Sequence, residues 1–224
     1  MKKLIFNPNL FEVDITDPKF ITMVIENKSF YWQFSRYLYD SFPDHLKYCS
    51  MLLNGDEILI DDISLYINNV LDLNLNTKQN LNALYKILKK SYFCELQDGV
   101  DKIQEKLTEI CKEIKLDFDA ELTMDSSIKI DDIFKIGGLQ FQESNSSLLE
   151  QLTRFVSVAK ELRNISIIFI NHLHDYLENE EISNFIKEIQ YKGITLVNVE
   201  TIQPISPLEN EKIVIVDNDF CGLV

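Results

Sequence analysis

Glycine is scarce in this sequence, and the scarcity argues against one large class of function. Only six glycines occur among 224 residues, and no segment has the spacing G-x-x-x-x-G-K-[ST] of a phosphate-binding loop. Residues 26–29, the first turn from a predicted strand into a predicted helix, contain none; Lys28-Ser29 matches only the end of such a loop. Because backbone N–H groups need glycines to surround a phosphate, the sequence argues against ATP hydrolysis.

Cysteine and histidine are too few and too scattered to form a recognisable metal site. The four cysteines contain no C-x-x-C pair, which favours reduced thiols in a cytoplasmic protein. His172 and His174 follow an apolar run two positions apart, so on a strand they would share one face. No nearby cysteine or third histidine completes a set of four ligands, and the sequence does not predict a zinc site there.

Long apolar runs are also missing. After Met1-Lys2-Lys3 only residues 4–6 are apolar, so neither a signal peptide nor a membrane span is expected. With 46% hydrophobic and 26% charged residues, the chain falls in the globular class. Its formal net charge of −14 should repel nucleic acid and anionic membranes, so nucleic-acid binding would require a local basic surface.

An apolar run at residues 165–171, closed by Asn171, organises the remaining pattern. Its β-branched residues predict a strand buried on both faces. Helical patterns at 147–163 and 179–192 flank it, and a second apolar run follows at 194–199. This alternation predicts an α/β fold with a mainly parallel sheet and helices on both faces.

Shorter patterns extend this prediction over the rest of the chain. Residues 20–25 predict a strand, followed by an aromatic-rich helix at 30–42. Strands are expected at 3–6, 11–15, 45–53, 57–60 and 212–216, and a strand returning to the sheet at 139–142. Asp61-Asp62 is expected to cap a helical turn that runs through Asn69.

The pattern changes at Asn76. Leucines and tyrosines at helical spacing are followed by a seam of apolar residues alternating at three and four positions, Val100, Ile103, Leu107, Ile110 and Ile114. Such a seam is typical of a helix that packs on another helix. We therefore predict two helices, separated near Asp98-Gly99, in a leg domain at 76–142 inserted into a head domain at 1–75 and 143–224.

Charge also changes along the chain. Residues 76–116 carry eight lysines against six acidic residues, which makes them the only long basic region. This pattern fits either a solvated helix surface or a surface that faces phosphate. The following stretch, Asp117-x-Asp119-x-Glu121 with Asp125 and Asp131-Asp132, is strongly acidic. It fits a solvated loop, or carboxylates that converge on a hard cation such as calcium, although it is not an EF-hand.

Five segments resemble, in order and in apolar pattern, stretches of one protein family. They are EILIDDISLYINNVLDLN, IDDIFKIGGLQF, IIFINHLHDYLENEEISNFIKEI, GITLVNVE and IVIVDNDF. The family is the Csn-two family, small CRISPR-associated proteins of type II-A systems. The resemblance runs from about residue 58 to the end of the chain and includes no catalytic signature.

The resemblance implies a P-loop-NTPase-like α/β head that does not bind nucleotide, together with a helical leg. It also implies a non-enzymatic homotetrameric ring that binds ends of double-stranded DNA without sequence preference and holds its shape with calcium. Family members act in spacer acquisition beside the integrase and the effector nuclease. With only three arginines in the chain, phosphate contacts would come mainly from lysine.

The resemblance also gives candidate site residues. The calcium ligands to test are Asp117, Asp119, Glu121, Asp125 and Asp132. The candidate DNA-binding residues are Lys86, Lys89, Lys90, Lys102, Lys106 and Lys135. Two alternatives stay open: a degenerate P-loop-type nucleotide hydrolase, and a protein-binding scaffold that pairs with another chain through the seam.

Overall fold

The computed structural model describes residues 2–6, 11–40, 48–58, 60–116, 127–143, 146–219 and 222–223. The chain forms two compact units, which we call the head unit (1–74 with 144–224) and the leg unit (75–143). The strands are β1 Lys2–Phe6, β2 Phe11–Asp14, β3 Phe20–Ile25, β4 Cys49–Leu53, β5 Asp56–Ile58, β6 Ser64–Ile67, β7 Ile167–Asn171, β8 Thr195–Glu200, β9 Glu211–Val216 and β10 Gly222–Leu223. The helices are α1 Lys28–Tyr39, α2 Lys78–Ser91, α3 Phe93–Leu116, α4 Ile130–Ile136, α5 Leu148–Arg163 and α6 Asn179–Tyr191.

A six-stranded sheet forms the centre of the head unit, in the order β10-β9-β3-β8-β7-β6. The five strands from β9 to β6 are parallel, and β10 adds an antiparallel edge. Every residue of β3, β7 and β8 is buried, as their nearly unbroken apolar sequences predict. The predicted fold class, an α/β head with a mainly parallel sheet and an inserted helical part, is confirmed.

Helices cover both faces of this sheet. On one face, α1 lies in a core that also includes the second sheet, an antiparallel one ordered β2-β1-β4-β5; Phe6, Phe34 and Phe169 belong to this core. On the other face, α5 and α6 contribute Leu152 and Phe185, which pack with Leu196 of β8. Because β-strand side chains alternate, Leu196 faces α6 while its neighbour Val197 faces α1.

Residues 61–69 differ from the prediction. Only Asp61–Ile63 forms a 3-10 turn, and the chain continues as β6, which pairs in parallel with β7. The Ser166 N–H donates to the Ile63 carbonyl at 2.7 Å, so hydrogen bonding to the chain at the edge of the sheet begins directly before β6. The segment is a strand because it pairs with β7, which is distant in sequence. The Asp61-Asp62 pattern is local and cannot predict that pairing.

The leg unit has its own small core. Thr77 caps α2 by accepting from the Asn80 N–H at 3.2 Å. Tyr85 of α2, Val100 of α3 and Ile130 and Phe134 of α4 are its buried residues. Ile130 and Phe134 lie one turn apart on α4, and with one residue from each of the other two helices they form a shared apolar centre.

Two sequence predictions for the leg region are wrong. Gly99 lies inside α3, and the break between the helices falls at Tyr92, because a single glycine lowers helix stability without ending a long helix. Residues 139–142 form no strand; the Asn76 side chain instead donates to the Phe141 carbonyl and accepts from its N–H. In addition, the Tyr85 hydroxyl donates to the Leu139 carbonyl at 2.8 Å, which holds this segment on the leg unit.

Candidate nucleic-acid interface and metal-binding positions

The turn between β3 and α1 occupies the place where a P-loop fold would bind phosphate. Asn27 caps α1, and its side-chain oxygen accepts from the Phe30 N–H at 3.0 Å. The Glu26 N–H donates to the Val216 carbonyl at 3.0 Å. Two donors that could face a phosphate are therefore already bonded to protein oxygens, one in the turn and one in β9, which agrees with the turn's lack of glycine.

Three of the six candidate lysines are exposed and carry no ion pair among the described residues. Lys86 and Lys90 lie one turn apart on α2, and Lys102 lies on α3. A lysine with a solvated, uncompensated ammonium group can contact a phosphate without first breaking an internal pair.

The other three candidate lysines have acidic partners within the leg unit. Lys89 lies 3.5 Å from Asp131, Lys106 lies 2.9 Å from Glu109, and Lys135 lies 3.8 Å from Asp132. All of these groups are substantially exposed, so each pair is weak and easily exchanged. These lysines remain able to contact phosphate, but their acidic neighbours reduce the local positive potential.

Only part of the apolar seam of α3 is buried in the core of the leg unit. Val100 is buried, whereas Ile103, Leu107, Ile110 and Ile114 are 40–45% exposed. These four residues recur at spacings of four and three along one helix face. They form an apolar stripe of the kind that covers another helix.

The acidic stretch can be described only at its end. Asp117, Asp119, Glu121 and Asp125 lie outside the described residues. Asp132 lies in the first turn of α4, where one carboxylate oxygen accepts from the Lys129 N–H at 3.1 Å. Asp132 therefore caps the N-terminus of α4, and this capping role explains an acidic residue at that position without a metal ion.

The head unit contains a polar cluster that the sequence analysis did not predict. It gathers where β7 and β8 end, because the carboxyl ends of adjacent parallel strands meet at one edge of a sheet. His172 directly follows β7 with a left-handed backbone (φ 55°), and Asp175 belongs to the 3-10 turn after it. Glu200, the last residue of β8, is 4% exposed.

The His172 ring has polar partners at both of its nitrogen atoms. Its Nδ1 lies 3.0 Å from Glu200 Oε2 and 3.8 Å from Asp175 Oδ2, and its Nε2 lies 2.8 Å from the Tyr31 hydroxyl. The hydrogen bond to Glu200 and the charges of Glu200 and Asp175 raise the pKa of His172, although partial burial opposes them. The cluster therefore attracts a cation, either a proton on the imidazole or another positive ion.

His174 uses a different partner, which corrects the expectation that the two histidines share one face. The left-handed residue and the 3-10 turn redirect the chain, so His174 Nε2 lies 3.0 Å from Glu211 Oε1. Burial lowers the pKa of His174, but its bond to Glu211 and the nearby carboxylate charges outweigh burial and raise it. For Glu211, burial raises the pKa, but bonds from His174, Thr22 and the Leu208 N–H outweigh burial and lower it.

One sequence signal could have revealed the cluster. Thr22, Asn198 and Glu200 are polar residues inside strands that are mostly apolar and buried on both faces. Asn198 Nδ2 donates to Glu200 at 2.9 Å and to Thr22 at 3.4 Å, which satisfies these side chains within the sheet. Buried polar residues need such partners, so their presence in a central strand predicts a polar site.

Within the part of the chain that the structure describes, no helix has both the length and the apolar character to cross a bilayer.

Comparison with known proteins gives the family of the chain. No curated protein sequence matches it. Among solved structures, a Pyrococcus furiosus protein described as an ABC transporter ATP-binding protein matches with a TM-score of 0.39 and 11% identity, over 95% of this chain and 97% of the other. A likeness at this level carries no argument about function. The family model described as CRISPR-associated protein (Cas_Csn2) matches residues 44–220, well over half of the chain, and the chain therefore belongs to this family of CRISPR-associated proteins.

Proposed function

We propose that this CRISPR-associated chain binds the ends of double-stranded DNA without sequence preference and without catalysis, as a homotetrameric ring. In this proposal the protein acts in the acquisition of new spacers, together with the integrase and the effector nuclease. Family membership supports the CRISPR-associated role. The observation that supports DNA binding is a set of exposed lysines on α2 and α3 that have no ion pair among the described residues, Lys86, Lys90 and Lys102.

The charge distribution explains why the leg unit is the proposed contact surface. The chain carries a net charge of −14, so DNA contact over most of its surface would be repulsive. Lysines bind phosphate as point charges, and phosphate contacts carry no sequence information, which agrees with recognition that is independent of sequence. A closed ring of several copies would bring several such groups of lysines around one duplex.

The test of DNA binding compares linear duplex DNA with a covalently closed circle of the same sequence, at low salt and with calcium present. We expect binding to the linear DNA and much weaker binding to the circle. The triple variant Lys86→Glu, Lys90→Glu, Lys102→Glu should bind linear DNA at least about 100-fold more weakly, because three phosphate contacts are lost and three negative charges are added. The slope of log affinity against log salt concentration should also decrease by about one for each lost contact.

The matched control places the same three charge changes on the head unit, in Lys187→Glu, Lys192→Glu, Lys212→Glu. Lys187 and Lys212 are exposed and Lys192 is half-buried. If binding depends on the leg surface, this control should retain most of its affinity. Equal losses of DNA affinity in the two triple variants would indicate a general charge effect. They would refute the proposal that Lys86, Lys90 and Lys102 contact the DNA. Failure of the wild type to bind linear DNA would refute the proposed function itself.

Calcium is proposed to maintain the DNA-binding form of the protein by neutralising carboxylates of the acidic stretch. The candidate ligands are Asp117, Asp119, Glu121, Asp125 and Asp132. Calcium takes six to eight oxygen ligands, and a stretch with this density of carboxylates can supply several of them. Because Asp132 already caps α4, we expect Asp119→Asn to weaken calcium binding more than Asp132→Asn does, while Asp132→Asn lowers helix stability.

The exposed seam supports assembly of copies through α3. An apolar stripe at coiled-coil spacing is stabilised when a second helix covers it, and in the proposed ring the second helix belongs to another copy. Leu107→Glu should reduce the molar mass in light scattering, whereas Ile136→Glu, at an 84% exposed position off the seam, should leave it unchanged. An unchanged mass in Leu107→Glu would exclude the seam as a contact between copies.

A degenerate nucleotide hydrolase is one of the two alternatives that stay open beside a protein-binding scaffold, and the capped, glycine-free turn before α1 counts against it. Calorimetric titration with ATP and magnesium distinguishes the two functions: heat of binding at one site per chain would favour the hydrolase, and its absence would favour the DNA-binding ring.

A further inference from the structure

We propose that His172, Asp175 and Glu200 of the head unit bind a transition-metal dication of the zinc class; none of these residues is among the proposed calcium ligands. One potential ligand atom from each of the three residues lies within 4.8 Å of the other two. One imidazole and two carboxylates form a mixed nitrogen and oxygen donor set, which suits zinc and its first-row neighbours.

Two of the three distances between the ligand atoms are close to those around a tetrahedral ion. Zinc lies about 2.0–2.2 Å from nitrogen and oxygen ligands, so tetrahedral ligand atoms are separated by about 3.3–3.6 Å. His172 Nδ1 lies 3.0 Å from Glu200 Oε2 and 3.8 Å from Asp175 Oδ2, on either side of this range. The Asp175 side chain is 71% exposed, so it can rotate toward the ion without disturbing the core.

The two less mobile ligands are oriented by further hydrogen bonds. The Tyr31 hydroxyl lies 2.8 Å from His172 Nε2, which leaves Nδ1 for the metal and lets Nε2–H donate to the tyrosine. Glu200 Oε1 accepts from Asn198 Nδ2 at 2.9 Å and from the His174 N–H at 3.4 Å, so Oε2 is directed at His172. Such supporting bonds fix ligand orientation in metal sites.

The backbone conformation of His172 determines where its ring lies. A left-handed conformation is unfavourable for a non-glycine residue and persists where surrounding contacts enforce it. Here the His172 N–H donates to the Val199 carbonyl and its carbonyl accepts from the Asp175 N–H, both at 3.1 Å. This turn brings the ring of His172 over the end of β8, where Glu200 lies.

The surroundings indicate what the ion would do. The three side chains line an open cleft of about 600 Å³, whose other walls come from His174 and from residues 176–179 and 201–206. Three protein ligands leave a fourth position on zinc, which faces this cleft and suits water or an anionic or carbonyl oxygen of a bound molecule. Calcium fits poorly, because it takes six to eight oxygens and no nitrogen.

The test is calorimetric titration of the purified chain with zinc chloride, with Asp175→Asn as the variant and Glu178→Gln as its matched control. Asp175→Asn removes a ligand from an exposed position, and Glu178→Gln removes one negative charge from the same cleft. We expect one zinc ion per wild-type chain, at least about ten-fold weaker binding in Asp175→Asn, and less than about two-fold change in Glu178→Gln.

Cobalt and calcium complete the test. Cobalt bound at this site should give a tetrahedral visible spectrum without the near-ultraviolet charge-transfer band that thiolate ligands such as Cys94 would add. A millimolar excess of calcium should not displace it, which separates this site from the calcium proposal. Equal zinc binding in wild type and Asp175→Asn, a thiolate band, or no zinc binding would overturn the proposal and leave the cluster a metal-free hydrogen-bonded pair.

Discussion

At the scale of single residues, the head unit is distinguished by polar side chains that are satisfied inside an apolar sheet. His174, Glu211 and Thr22 form one connected group, and the Asn198 side chain joins Thr22 to Glu200. Each member has a partner, so the group does not carry the large free-energy cost of an unpaired buried charge. Its stability instead depends on which members are charged, and therefore on pH.

We predict that His174→Gln loses more stability at mildly acidic than at alkaline pH, with a chelator present. The raised pKa of His174 contributes stability that is fully present below its unfolded value of about 6.5 and is lost as pH rises through the folded pKa. The lowered pKa of Glu211 contributes stability that is present above 4.5 and is lost as pH falls through the folded pKa. The free energy of unfolding of the wild type should therefore exceed that of the variant most between about pH 4.5 and about pH 6.5, by about 1 kcal/mol.

Urea denaturation at about pH 5.5 and about pH 8.5 measures this difference. Glu200 and Asp175 also act on His174, so Asp175→Asn serves as a control that changes one exposed neighbouring charge. A difference between wild type and His174→Gln that is the same at both pH values would contradict the prediction and assign the loss to packing alone.

At the scale of elements, α3 is a long helix that contains a glycine. Gly99 lies next to the buried Val100, and a Cβ added at Gly99 would meet nothing within 4 Å. Its backbone is not in the left-handed region, so no conformational reason requires glycine there. The helix therefore tolerates this residue at a cost in its own stability.

We predict that Gly99→Ala stabilises the leg unit by about 0.5–1 kcal/mol, because alanine restricts the unfolded chain and favours the helix. Thermal unfolding followed by circular dichroism should show a higher midpoint. Asn82→Ala, at an exposed position of α2, provides a helix substitution of smaller expected effect. A lower unfolding midpoint for Gly99→Ala would contradict the prediction and would mean that the fold requires glycine at this position.

The two units have separate cores, which predicts separate local stability. Phe134 contributes to the small core of the leg unit, where its ring centroid lies 5.1 Å from that of Tyr85. Phe134→Ala should destabilise the leg unit by about 3 kcal/mol through loss of buried surface and a cavity. Hydrogen exchange should then lose protection in α2, α3 and α4 while β3, β7 and β8 keep theirs; loss of protection in both units together would contradict this.

At the scale of the whole molecule, charge dominates the proposed behaviour. A chain with 36 acidic residues and 22 lysines and arginines would bind DNA only through a surface where cations are concentrated. Binding through such a surface is driven by counterion release, and it weakens as salt concentration rises.

We predict that chelation of calcium lowers both the molar mass and the affinity for DNA ends, because the carboxylates of the acidic stretch then repel one another. Light scattering with calcium and with chelator measures the mass, and binding to linear duplex over a range of salt concentrations measures the affinity. Magnesium in place of calcium is the control for ionic strength. A mass that does not change with chelator would contradict the role of calcium in assembly.

Much of the head unit could be predicted from local sequence. The apolar runs of β3, β7 and β8 determine their own burial on both faces, and Ser147 with Glu150 marks the start of α5, where the serine accepts from the Glu150 N–H. By contrast, β6 is a strand only because β7 lies beside it, so its short sequence gave no sufficient local signal.

The sequence by itself determined the alternation of helix and strand, the inserted helices and the absence of a phosphate loop, because hydrophobic periodicity and glycine content act over neighbouring residues. Only the tertiary structure decided that His172 meets Glu200, 28 residues away in the chain, since that contact depends on the pairing of β7 with β8 and on the left-handed turn at His172. Side chains from separate strands come together through sheet order, and no spacing along the chain records that order.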